Sequence, residues 1–123
     1  MENKIEYTSH KTVRECDTAQ AVGSGNLPVF ATPMMVALME NAAMKAAEQL
    51  LQEGESTVGS EINIKHIRPT AVGEEVSATA TLTAQEGRKL TFSVVAADRN
   101  GTIGEGTHVR YVINIEKFMS KIG

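Results

Sequence analysis

Four polar side chains stand where the surrounding pattern calls for apolar residues or caps: Thr32, Glu40, His66 and Arg110. Glu40 lies inside VFATPMMVALMENAAMKAA (Val29–Ala47), a helix-patterned run of small or sulfur-containing apolar residues. At 100° per residue, Val36, Ala37, Ala43, Met44, Ala47 and Leu51 fall within about 60° of Glu40. Asn41, Lys45, Glu48, Gln49 and Gln52 gather on another side. Glu40 is therefore expected to point with the apolar set. There it is either a structural acid neutralised by a cation, since buried charges persist only when paired, or a functional acid or base. His66 continues the alternation of Val58, Ile62 and Ile64, so it is expected on the inner face of a strand. It is either a satisfied core histidine or a proton carrier. Arg110 shares a strand face with His108, opposite Val109 and Tyr111, and is expected to be the charge partner of Glu40. Thr32, just before Pro33, is either an N-cap or a hydroxyl that holds a water or attacks a carbonyl.

One geometric problem follows from the spacing. Thr32 and Glu40 are eight residues apart, which is about 12 Å along a straight helix. They cannot serve one small reacting centre together. Either Thr32 lies on a loop that folds back, or a site joins Thr32 of one copy to Glu40 of another. The second option predicts an obligate homo-oligomer, a dimer or larger.

The elements that must carry these residues follow from periodicity and punctuation. A strand is expected over about Lys4–Arg14, then a loop, CDTAQAVGSGNLP. The long helix follows, with Thr32 as N-cap, Pro33 at its first position and Gly54 as its stop. After Gly54 the pattern turns strand-like. IRPTAVGEE, AQEGRK and DRNG read as turns between four strands, the last over about Thr102–Glu116 with Val109, Tyr111, Ile113 and Ile115 on one face. Consecutive hairpins imply an antiparallel sheet, and one helix must cover a face of it. The expected class is α+β, a single domain over residues 1–123.

Composition narrows the function. The net charge is −3, with no basic block, so nucleic acid is not an expected partner. MENKIEYTSHK contains no apolar leader segment, and Glu40, Asn41, Lys45 and Glu48 interrupt the apolar helix, so neither a secretory leader nor a membrane span is expected. A lone cysteine, Cys16, rules out an internal disulfide and suggests a reducing, cytoplasmic setting.

The segments VFATPMMVALMENAA, STVGSEINIKHIRPTAVG, EGRKLTFSV and IGEGTHVRYVINIEKF closely resemble the fluoroacetyl-CoA thioesterase-like branch of the hotdog thioesterases, over about Val29–Phe118. The resemblance implies a hotdog fold, a long central helix wrapped by a curved antiparallel sheet of about five strands. It implies hydrolysis of an acyl-CoA thioester, with Thr32 (FATP), Glu40 (LMENA) and His66 (IKHIRPT) acting together. It also implies that Arg110 (GTHVRYV) pairs with the glutamate, and that Gly59 (TVGSE) brings backbone close to the substrate, with Phe30 and Arg110 beside it. Where the family carries a phenylalanine-rich lid, this chain reads GSGNLPVF and keeps only Phe30. The acyl group is thus open, but alanines around Glu40 (Ala37, Ala43, Ala47) and adaptable methionines suggest a small one. No metal and no cofactor are expected, coenzyme A being part of the substrate. Lys65, Arg68, Arg88 and Lys89 are candidates for its phosphates. The alternative is a non-catalytic acyl-CoA sensor on the same fold; retention of all four polar positions favours the enzyme.

Overall fold

Tight turns and alternating residues after Gly54 leave the chain few options but an antiparallel sheet, and the structure forms one. The computed structural model describes residues 4–123; residues 1–3, which open the stretch read as leaderless, lie outside the described residues. Five strands are present: β1 (Glu6–Thr12), β2 (Glu55–His66), β3 (Glu75–Glu86), β4 (Lys89–Asp98) and β5 (Gly101–Asn114). They are ordered β1-β3-β4-β5-β2, with every neighbouring pair antiparallel. Among the described residues three helices accompany them: α1 (Ala19–Val22) and α2 (Thr32–Ala47) between β1 and β2, and α3 (Ile115–Ser120) after β5. The long α2 lies across the sheet and packs mainly on β1 and β3, the hotdog arrangement.

Alanine explains how closely α2 sits. Ala42, Ala43, Ala46 and Ala47 are fully buried, as are Ala78, Ala80 and Ala96 on the sheet. Small residues on both surfaces let helix and sheet approach. Met35, Met39, Phe30, Leu90, Phe92, Val94 and Ile103 fill the remaining space. Each large side chain among them contributes about 1.5–3 kcal/mol by leaving water.

Several boundaries differ from the sequence reading, each for a local reason. The loop before α2 contains a 3-10 turn and α1; Thr18 caps α1 by accepting from the Ala21 N–H, and Gly23 closes it at φ 83°. Ala31, not Thr32, is the N-cap of α2, so Thr32 and Pro33 are its first two residues. α2 ends at Ala47 and tightens into a 3-10 turn over Glu48–Leu50, ahead of Gly54 at φ 85°. β5 stops at Asn114, whose side chain accepts from the Lys117 N–H and starts α3, so Ile115 is helical. No helix among the described residues is long and apolar enough to cross a membrane.

Two errors of face matter more. A bulge in β2 between Gly59 and Glu61 inserts Ser60 and reverses the alternation there. Val58, paired with Tyr111, therefore faces away from α2, while Ile62, Ile64 and His66 face it. Glu40 also does not join the buried set of α2. It is half-buried on a stripe with Val36, Ala37, Asn41 and Met44, of which Ala37 and Asn41 are exposed. That stripe reads as core because it is largely apolar, yet no described residue fully covers it.

Candidate active site

The four polar residues form two separate clusters, one at the N-terminus of α2 and one beside its middle. At the first, the Thr32 Oγ1 lies 2.8 Å from His66 Nδ1. Thr32 reaches the imidazole because Ala31 has taken the cap position, which frees the hydroxyl from the helix backbone. Few donors are left beside it. Pro33 has no N–H, and the N–H groups of Met34 and Met35 both bond the Ala31 carbonyl. The Thr32 N–H remains as the donor at this helix end, together with the positive end of the helix dipole.

His66 closes β2, and the following segment is pinned. Arg68 Nη2 donates to Asp98 Oδ1 at 2.8 Å, the Thr70 hydroxyl donates to Asp98 Oδ2 at 2.8 Å, and Arg68 Nη1 donates to the Asn100 carbonyl. Burial pushes the Asp98 carboxyl up, but Thr70, the Asn100 N–H and Arg68 outweigh it and hold it below the usual range. Arg68 is thus committed to structure rather than free for a phosphate. Arg88 is likewise engaged, donating to the Val112 carbonyl. Burial lowers the His66 pKa, with the Arg68 backbone partly opposing it, so the ring is neutral near pH 7. Its Nε2 is buried without a partner. A groove of about 300 Å³ opens over this pair, lined by Val29, Phe30, Ile67 and Pro69 among others. Phe30 contributes to its wall, though its side chain is buried in the core.

The second cluster surrounds Gly59. A Cβ there would lie 3.1 Å from Glu40 Oε2, 3.1 Å from His108 Cε1 and 3.3 Å from Arg110 Nη1. Glycine is what lets three functional groups crowd one strand position. Arg110 is buried and its fork is occupied: Nε donates to Thr57 Oγ1 at 2.8 Å, Nη2 to the Thr57 carbonyl at 3.0 Å, and Nη1 to His108 Nε2 at 3.2 Å. Its charge acts on Glu40 across Gly59 rather than through a direct ion pair. Burial lowers the Arg110 pKa and the Glu40 charge opposes that. Glu40, Gly59, Arg110, Ala37, Asn41 and Met44 line an open groove of about 350 Å³. Ala43 and Ala47, expected to floor this pocket, are instead sealed in the core.

His108 was not singled out by the sequence reading. Its one signal was its place two residues before Arg110, on the same face of the strand. Among the described residues, no cluster of three or more metal-ligating side chains is present.

Comparison with known proteins gives a consistent picture. Residues 13–116 match the protein family described as fluoroacetyl-CoA-specific thioesterase. The fluoroacetyl-CoA thioesterase of Streptantibioticus cattleyicolor is 42% identical over 113 residues, spanning 92% of this chain and 81% of the relative. A solved structure of the fluoroacetyl-CoA thioesterase FlK superposes with a TM-score of 0.90 at 37% identity, covering 99% of this chain and 95% of the other. A thioesterase superfamily member of Thermus thermophilus superposes with a TM-score of 0.90 at 27% identity, covering 98% and 90%.

Proposed function

Because the chain belongs to the family of fluoroacetyl-CoA-specific thioesterases, we propose that it hydrolyses a small acyl-CoA thioester to the free acid and CoA. The observation that carries this reading on the chain's own residues is the 2.8 Å contact between Thr32 Oγ1 and His66 Nδ1 at the mouth of a groove. His66, neutral because it is partly desolvated, takes the Thr32 hydroxyl proton as the oxygen attacks the thioester carbonyl. The C–O bond forms, the C–S bond breaks, and the proton passes from His66 to the departing CoA thiolate. The Thr32 N–H and the positive helix end favour the oxyanion. Water then cleaves the acyl-Thr32 ester, and Glu40 of a second copy assists that step.

The second copy is part of the proposal. Thr32 and Glu40 lie two turns apart on α2 of one chain, about 12 Å along its axis. The stripe bearing Val36, Ala37 and Met44 is uncovered, and β2 is a twelve-residue edge strand with no proline. A homodimer that pairs these surfaces brings each Glu40 towards the other copy's Thr32. The lone Cys16, exposed and free, supports a reducing compartment such as the cytoplasm. No cofactor beyond the CoA of the substrate is needed by this chemistry.

The test is a hydrolysis screen over short, branched, aromatic and long-chain acyl-CoAs with detection of free thiol. Turnover of short-chain thioesters is expected. Acyl-CoA that stays bound for hours without thiol release would replace the enzyme with a sensor. Hydrolysis confined to long chains would overturn the small-acyl assignment.

A further inference from the structure

We infer that His108 is a positioning residue for this reaction: it fixes the Arg110 guanidinium that faces Glu40 across Gly59. The inference rests on the thioesterase reading and adds a residue to its machinery. His108 is 1% exposed, deep under α2, where an aliphatic residue would pack at less cost. Both of its ring nitrogens are used. Nδ1 lies 2.8 Å from the Glu61 carbonyl and Nε2 lies 3.2 Å from Arg110 Nη1.

The partners dictate the tautomer. A guanidinium only donates, so Nε2 must be bare; a carbonyl only accepts, so Nδ1 must carry the proton. The two requirements agree, and neither leaves room for a second proton. An imidazolium would set an N–H against the arginine N–H. Burial, together with the neighbouring Arg110 charge, keeps the ring neutral against the opposing pull of the Glu61 carbonyl and Glu40.

The Glu61 carbonyl is reachable because of the bulge at Ser60. Carbonyls of a regular ladder lie in the sheet plane, and a bulge re-aims the backbone beside it. Glu61 is the first residue after the slip, and its carbonyl meets a side chain on the helix side of the sheet. A chain of constraint thus runs from the bulge through the Glu61 carbonyl and His108 to Arg110. Thr57 holds the other edge of the same guanidinium. Four hydrogen bonds in this network fix one cation in place, and the charge it faces among the described residues is Glu40, the acid assigned to the reaction.

Two substitutions separate this role from packing. His108→Gln places an amide oxygen near the Nε2 position and keeps an acceptor for Arg110. His108→Asn keeps a donor for the Glu61 carbonyl and removes the acceptor. His108→Asn is expected to lower kcat about tenfold or more, the size of a lost hydrogen bond to a charged group, with little change in KM. His108→Gln should keep most of the turnover. In an Arg110→Met background the two should be equal. Equal kcat per folded molecule for both in the native background, or effects that simply add to Arg110→Met, would overturn the inference. Imidazole 15N spectra of the unmutated protein provide a readout that needs neither variant folding nor activity. Protonated Nδ1 and bare Nε2 are expected for His108, and a proton on Nε2 would overturn the assignment. A protein inert towards every acyl-CoA would end the thioesterase reading, while the spectrum would still decide whether His108 holds Arg110.

Discussion

The N-terminus and the middle of α2 carry similar chemistry in opposite settings. At the N-terminal end, Thr32 is exposed, makes one side-chain hydrogen bond, to His66, and sits under an open groove. Eight residues on, Arg110 and His108 are almost fully enclosed and every contact between them is specified. In the proposed reaction the first cluster moves a proton, with a hydroxyl, a neutral base and space for a substrate. The second is arranged to hold a charge still beside Glu40. Neither is a complete site, which is why the separation along the helix matters more than any single residue.

The largest effect should come from breaking the open cluster. His66→Ala is expected to lower turnover by about 10²–10⁴-fold, the usual cost of losing a general base. Thr32→Ala should fall in the same range if its oxygen is the nucleophile. Both residues lie at the rim rather than in the core, so melting temperature should change little. Thiol-release kinetics beside thermal melts check this. A His66→Ala protein that melts earlier yet retains its activity per folded molecule would make the histidine structural.

Glu40→Gln tests whether the two clusters meet between copies. Alone it should nearly abolish turnover while acyl-CoA still binds. Mixed and reassembled with Thr32→Ala, it should recover about a quarter of native activity, because half of the random dimers then contain one intact composite site. No recovery after verified exchange would place Thr32 and Glu40 of a single copy in one site, against their spacing on the helix. Sedimentation at micromolar concentration should show no 13.2 kDa species.

The order of elements and the element that carries each of Thr32, Glu40, His66 and Arg110 were legible because they rest on local signals: the apolar helix run, Gly54, the turn dipeptides and the alternation into His66. Two features were not. The bulge at Ser60 carries no composition signal of its own, and it alone decides that Val58 faces outward. The stripe with Val36, Ala37 and Met44 is apolar, so hydropathy reads it as core, although Ala37 is exposed and Val36 and Met44 are only half-buried. The expectation that Glu40 points with the buried set fails for that reason. His108 was legible only as a neighbour of Arg110, since its role depends on a carbonyl that the bulge re-aims.

Gly59→Ala sharpens the enclosed cluster with a smaller effect. The glycine has no left-handed φ, so alanine meets no backbone strain and gains about 0.4–1 kcal/mol through the unfolded chain. The new methyl must push Glu40, His108 and Arg110 by tenths of an ångström. That overpacking costs about 1 kcal/mol or more. Stability should thus be nearly unchanged, while the displaced charges lower turnover about tenfold. Unaltered kinetics would mean that the close approach at Gly59 does not serve the reaction.

The smallest effect is a pH dependence of stability that should differ between the clusters. His66 and His108 both have folded pKa values lowered by burial from the ordinary 6.5. For a group whose folded pKa is depressed, its contribution is intact above the unfolded value and is lost as pH falls through the folded one. Melting temperature should therefore decline as pH drops below 6.5. The buried carboxylates act in a separate window. Asp17, raised by burial but pulled down to about 2 by Lys11 and Arg14, and Asp98, also lowered, weaken the fold only below the ordinary 3.8. Between pH 7 and pH 5 the two histidines should dominate the slope. His108 is nearly inaccessible whereas His66 is half-buried, so protonating His108 costs more and also sets it against Arg110. His108→Gln should flatten the melting curve over this range more than His66→Gln does, at one fixed protein concentration so that assembly is held constant. Calorimetry at half-unit pH steps reads the difference. If His66→Gln flattens it as much, the two clusters are equally dry, and the contrast between an open and an enclosed cluster fails.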